Sequence, residues 1–175
     1  GARSIPERIP GKGRKMEITL RVAEAGDFDS YSRLFNQVND VHVDAFPDTF
    51  RHVEGAPRAF EDYQALLADP TQQVLLALLG GRVVGYVHTL LRERPPIPIM
   101  VPARYAVVDT LVVEDACRRK GIGRALMAAA EDWAQEHGAL YVELNVWTFN
   151  RGAVALYEEL GYGVISQRMR KILLE

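Results

Sequence analysis

Three features of the chain predict an α/β fold built on one mixed sheet. Apolar strands fill much of its first two thirds, and a Gly-Gly turn joins two of them. A strand, loop, helix and strand follow between Arg104 and Trp147, and such a return fits a parallel crossover. The third feature is size: 175 residues, 48% hydrophobic and 25% charged, suit one soluble domain with a single core. The expected sheet has about seven strands, antiparallel in its N-terminal half with a central parallel strand-helix-strand unit, and about four helices flank it.

The elements follow in order. Residues 1–15 hold five basic residues and one acid, so the rest of the chain carries −6 of the net −2. Their Pro, Gly and Arg content reads as a flexible tail or an upstream remnant, with Met16 as the natural start and one domain over 16–175. "EITLRVA" alternates as the first strand. Phe28, Tyr31, Leu34, Phe35 and Val38 then recur at helical spacing behind Asp27. A Pro-rich loop leads to a second helix over Pro57 to Ala68, with Phe60, Tyr63, Leu66 and Leu67 as its stripe. "QQVLLALL", Gly80-Gly81 and "RVVGYVHTLL" read as a hairpin of buried strands. "RYAVVDTLVV" is the next strand. The helix after it places Ile122, Leu126, Ala129, Trp133 and, by extension, Leu140 on one face. "ALYVELNVW" is a further strand, a last helix runs from Asn150 to Leu160, and "YGVISQRMRKILLE" supplies one final strand or pair.

Composition excludes several function classes. The acidic balance after residue 15 does not suit a nucleic-acid face. The longest apolar run, "VLLALL", is too short to span a bilayer, and a single cysteine, Cys117, fits a reducing compartment, so a cytoplasmic location is expected. His42, His52, His88 and His137 are scattered without ligand spacing, so no metal is expected. Cys117 beside two arginines has the surroundings of a reactive thiol but no nucleophile signature, and a passive buried cysteine is the plainer reading.

"CRRKGIGRALM" is the stretch that points to chemistry. A helix N-terminus prefers carboxylates, and each glycine costs roughly 1 kcal/mol against alanine. This helix nonetheless begins among Arg118, Arg119, Lys120 and Arg124, with Gly121 and Gly123 around Ile122. Bare backbone N–H groups, the helix dipole and flanking cations make a cradle for a phosphate, against the alternative of a solvated basic patch. A P-loop is excluded because GxxxxGK[ST] is absent, and a dinucleotide fingerprint is matched only in part.

Arg118 to Gly123 matches [QR]xxGx[GA], and "NRGAVALYEELGY" matches Nxx[AG]xxLYxxxG[FY] through Asn150, Ala153, Leu156, Tyr157, Gly161 and Tyr162. With both motifs in order around a strand-helix-strand unit, the chain resembles the GNAT superfamily of acyl-CoA N-acyltransferases from roughly Glu17 to Leu174. The ending "RMRKIL" is similar to that superfamily's last strand. The resemblance implies a GNAT-like sheet, acetyl-CoA as co-substrate, and a small-molecule or peptide amine as acceptor. It implies backbone donors from Arg119 through Arg124 on the pyrophosphate. The pantetheine arm would lie along Leu111, Val112 and Val113, with an oxyanion donor near Val112. A homodimer is allowed by analogy, and no metal, nucleic acid or membrane is implied.

Amine acetylation must take a proton from an ammonium of pKa about 10 and return one to a thiolate of pKa near 8.5. Tyr157 resembles the tyrosine that donates to the coenzyme sulfur; its alternative is core packing. Asn150 resembles a pantetheine contact and can equally cap its helix. Asp109 is the lone acid of an apolar strand, and alternation puts it on a face with Val107, Leu111 and Val113. It is expected to act as base or amine anchor, with a structural hydrogen bond or simple exposure as alternatives. Glu143 and Asn145 share one side of the next strand and are secondary candidates. The loop around His42, Asp44, Asp48 and Phe50 lies where an acceptor pocket forms in similar enzymes, with an ordinary solvated loop as the alternative. A non-catalytic acyl-CoA sensor is the competing function.

Overall fold

The computed structural model describes residues 17–173, so the expected tail over 1–15 and Met16 lie outside the described residues. The chain packs as two compact units, one ending at Asn145 and the other beginning at Val146.

The first unit opens with β1 (Ile18–Val22), α1 (Phe28–Ala45) and α2 (Phe60–Ala68), followed by β2 (Gln72–Leu79) and β3 (Arg82–Glu93). β4 (Arg104–Val113), α3 (Ile122–Glu136) and β5 (Val142–Leu144) complete it. The sheet order is β1-β2-β3-β4-β5, antiparallel through β4 and parallel between β4 and β5. The expected crossover is therefore α3. Cross-strand pairs fix the two faces. Leu76, Tyr86 and Val112 point to the side where α1 and α2 bring Tyr31, Leu34, Tyr63 and Leu66. Leu91 and Ala106 point to the other side, where Trp133 and Ala134 of α3 pack. Both faces of the central strands are covered, which explains the unbroken apolar runs.

Where β3 meets β4 the backbones come close. A Cβ added at Gly85 would stand 2.7 Å from the Val112 carbonyl oxygen, so only glycine fits there.

Several expectations need correction. Five strands are assigned among the described residues, where about seven were expected. No strand is assigned over the alternating stretch "YGVISQRMRK", since apolar alternation alone does not specify a neighbour. β5 is confined to Val142–Leu144, shorter than "ALYVELNVW" suggested. α2 begins at Phe60 rather than Pro57, since Ala59 remains extended. Leu140 does not extend the α3 stripe: the helix ends at Glu136 and Leu140 is 74% exposed. Ala129 is half-buried, and Ala125, Met127 and Ala130 lie deeper.

The entry to α1 rests on Asp27. Its carboxylate accepts two 2.7 Å bonds from Arg21 and one of 2.8 Å from the Glu24 N–H. Hydrogen bonding from Arg21 holds this carboxyl below its ordinary range. A lowered folded pKa contributes stability above the unfolded value of about 3.9, and that stability is lost as pH falls through the folded value. Asp27→Ala is expected to destabilise the protein by about 1–2 kcal/mol at neutral pH. In urea unfolding the difference from wild type should shrink at acid pH.

Candidate active site

β5 pairs with β4 only at Ala106, Val107 and Val108. From Asp109 onward, no strand among the described residues lies against β4 on the β5 side. The division falls at a β-bulge. His88 pairs with Thr110 and Thr89 with Val108, so Asp109 is the extra residue. A bulge re-aims side chains, and this one shifts the alternation of β4 by one position. Val107 pairs with Leu90, and Thr110 and Val112 with His88 and Tyr86, all on the α1 and α2 face. Leu111 and Val113 pair with Val87 and Gly85 on the α3 face. Asp109 therefore shares a face with Val107, as expected, but not with Leu111 and Val113.

Backbone directions also follow. The Glu114 N–H reaches the Val84 carbonyl at 2.8 Å, so strand alternation turns the Val112 N–H toward β3 as well. Leu111 and Val113 direct their N–H and C=O groups to the open side. Near Val112, the N–H groups free to face that side are therefore those of Leu111 and Val113 rather than of Val112 itself. The Val113 carbonyl is already engaged, accepting from Gln37 Nε2 at 3.1 Å and from Arg118 Nε at 3.3 Å.

The Asp109 side chain is 51% exposed, and behind it lies the His88 ring, 4% exposed, with Nδ1 3.4 Å from Asp109 Oδ2. His88 Nε2 is 2.9 Å from Gln72 Oε1. The carboxyl of Asp109 is held below its ordinary value chiefly by His88, with burial opposing and Thr110 and Arg58 assisting. Tyr31 and Tyr86 lie on the same face with ring centroids 4.9 Å apart. Burial raises both phenols, strongly in the case of Tyr86. The fully buried Tyr86 hydroxyl finds no hydrogen-bond partner of good geometry. Such an orphan costs about 1–3 kcal/mol unless something bonds it.

At the end of β4 the chain turns through Asp115–Cys117 into α3. Arg119 has φ +58° and Gly121, the N-cap of α3, has φ +81°. The first turn of α3 contains no acid, and its N-cap residue, Gly121, has no side chain with which to cap it. Arg118 folds back on Asp115 at 2.8 Å, and Lys120 Nζ donates to the Ala116 carbonyl at 3.1 Å. These two cations are used within the turn, while the N–H groups of Ile122, Gly123 and Arg124 lie in the first helical turn, ahead of the helix's own bonding ladder. Cys117 is buried, with its thiol near Glu114, in agreement with a passive role.

The model of the Acetyltransferase (GNAT) family matches residues 35–162. The chain belongs to this family. It is an acyltransferase, of a family whose co-substrate is acetyl-CoA. An uncharacterized N-acetyltransferase of Bacillus subtilis, YhfO, is 29% identical over 83% of this chain and 89% of its own. The N-alpha-acetyltransferase RimI of Mycobacterium tuberculosis is 35% identical over 59% of this chain and 60% of its own. Among solved structures, a mutant of the BH1408 protein of Bacillus halodurans superposes with TM-score 0.84 at 28% identity, over 89% of this chain and 99% of that one.

Other candidate residues of this GNAT acetyltransferase fall as follows. Glu143 pairs with Val107 and so shares the face of Asp109, whereas Asn145 lies just beyond β5. His42 stands in the last turn of α1, its Nδ1 2.7 Å from the Val38 carbonyl and its ring 5.1 Å from Phe50. In the second unit, α4 (Arg151–Glu159) carries Tyr157. Asn150 caps α4, accepting from the Ala153 N–H at 3.2 Å. Tyr157 is buried, packs edge-on to Tyr162, and has its phenol pushed up to about 12 by that burial.

His88, Gln72, Tyr31, Tyr86 and Arg58 did not emerge from the sequence as site residues. One signal was present: His88 is a polar residue inside "VVGYVHTLL", as conspicuous there as Asp109 in its own strand. Among the described residues no helix is long and apolar enough to cross a membrane, and no His, Cys, Asp and Glu group could hold a metal.

Proposed function

We propose that this acyltransferase moves the acetyl group of acetyl-CoA to a primary amine by direct attack within a ternary complex. One arrangement carries the reading: the open side of β4 runs from Asp109 past Leu111 and Val113 to the N-terminus of α3, where the N-cap is a glycine. A pantetheine arm can add to β4 as an extra strand, with its diphosphate on the N–H groups of Ile122, Gly123 and Arg124. The thioester then lies near Asp109, and the N–H of Leu111 or Val113 faces the oxyanion. Asp109, ionised and half exposed, receives a cationic amine and relays its proton toward solvent.

A phenol at about 12 stays protonated at neutral pH. Against a thiol near 8.5, full proton transfer from it is uphill by several kcal/mol. The acidity of Tyr157, the residue whose motif resembles the sulfur-contacting tyrosine, thus suits a hydrogen-bond donor rather than an acid. Tyr157→Phe is expected to lower kcat about ten- to a hundredfold and to leave the Kd for coenzyme A within twofold.

The function is tested by following thiol release from acetyl-CoA across a panel of amino acids, polyamines, aminoglycosides and peptide α-amines, with mass detection of the product. The similarity to a protein named as an N-alpha-acetyltransferase puts peptide α-amines first in that panel. Amine-dependent thiol release with matching acetylated product is expected. Tight coenzyme A binding without any acetylated amine would contradict the reading.

A further inference from the structure

Behind Asp109 runs a chain of hydrogen bonds with one consistent direction. Asp69 Oδ1 accepts from the Thr71 N–H at 2.8 Å and the Thr71 hydroxyl at 2.7 Å, and its Oδ2 is 2.7 Å from Gln72 Nε2. A carboxylate only accepts, so the group facing Asp69 must be the NH2 of Gln72. That orientation turns Gln72 Oε1 to His88 Nε2 at 2.9 Å. An amide oxygen likewise only accepts, so Nε2 must carry the proton. Neutral His88 then presents a bare Nδ1 lone pair to Asp109 Oδ2 across 3.4 Å.

Two lone pairs facing each other repel, and one proton between them removes the repulsion; with that proton on Nδ1, His88 is the donor that holds the Asp109 carboxyl low. The bulge makes this meeting possible by setting both Asp109 and Thr110 opposite His88. Depth separates the partners: His88 is buried, while Asp109 stands half in solvent.

We propose that His88 is a positioning and proton-sharing partner of Asp109, with Gln72 and Asp69 fixing its tautomer so that Nδ1 and Asp109 Oδ2 together take up the amine's proton. This rests on the reading of Asp109 as the group that meets the amine. An ammonium N–H bond breaks and leaves its electron pair on nitrogen, while the proton lodges between Oδ2 and Nδ1. The freed pair forms the C–N bond at the thioester carbon, and the C–S bond breaks with its electrons on sulfur. The second nitrogen proton ends on that sulfur as thiol. The first leaves through Asp109 to solvent, so each turnover releases one proton. Thr110 Oγ1 also donates to Asp109 Oδ2 at 3.2 Å, and Arg58, Tyr31 and Tyr86 act electrostatically on this group, with Asp69 behind Gln72.

The tautomer is measurable without substrate. In the full chain labelled with 15N-histidine, long-range proton-nitrogen correlations report which ring nitrogen carries hydrogen, and His88→Gln assigns the signal among the four histidines. Above the pair's titration, His88 is expected as the Nε2–H form in wild type and as a tautomer mixture in Gln72→Leu. A wild-type Nδ1–H form, or an unchanged tautomer in Gln72→Leu, overturns the proposal. Where an amine is acetylated, the acid limb of the kcat profile reports the pair rather than either residue. His88→Gln should move that limb, with coenzyme A affinity unchanged; an unmoved limb also overturns it. If no amine is acetylated, the reading of Asp109 fails separately, while the wild-type tautomer still decides the fate of the His88 proposal.

Discussion

Gly121→Val is expected to weaken coenzyme A binding about a hundredfold or more, close to 3 kcal/mol. Gly121 caps α3 at φ +81°, a left-handed conformation that an L-residue adopts at about 1–2 kcal/mol and a β-branched one at greater cost. Relief of that strain rotates the first turn of α3, and the N–H groups that would face a diphosphate lose their common direction. The new side chain also takes space where phosphate oxygens would approach the backbone. Gly121→Ala separates the contributions, since it carries strain with little bulk and should fall between wild type and valine. Calorimetric titration measures all three proteins, and a thermal melt shows that the fold persists. Wild-type affinity in the valine variant would place the diphosphate elsewhere.

Asp109→Asn is expected to lower kcat by a factor of about 10² to 10⁴, the range for loss of a general base, while coenzyme A affinity stays within twofold. The amide retains the shape of the carboxylate at the bulge and can still meet His88, so the sheet should hold. It carries no charge for an ammonium and accepts no proton at neutral pH. Because His88 keeps the Asp109 carboxyl low, wild type remains ionised throughout the neutral range. The deficit should therefore persist from neutral to alkaline pH, until a substrate amine that is already neutral needs no base. An equal rate in both proteins at neutral pH would leave Asp109 only a structural hydrogen bond.

The parts of the site that were legible in the sequence are local ones. Gly121 and the cations around it conflict with ordinary helix preferences, and that local conflict is what suggests a phosphate cradle. The Asn150 cap, the Gly80-Gly81 hairpin and the α3 stripe through Trp133 likewise depend on residues a few positions apart. What stayed hidden depends on register. The bulge at Asp109 moves Leu111 and Val113 to the opposite face, and nothing in "YAVVDTLVV" announces the extra residue. His88 and Asp109 are 21 positions apart and meet only through the β3–β4 pairing. Gln72 reaches them through a third strand. The missing strands have the same origin: residues from Tyr162 onward carry the alternation of a strand, but alternation does not specify a neighbour.

The central claim is that main-chain donors at the start of α3 hold the diphosphate of the acyl carrier. Calorimetric titration of the wild-type chain with coenzyme A and, separately, with pantetheine tests it most directly, because the two share the arm along β4 and differ in the nucleotide and its diphosphate. Coenzyme A is expected to bind at least a hundredfold more tightly than pantetheine. Equal affinities for the two, or no affinity for coenzyme A, would contradict the claim.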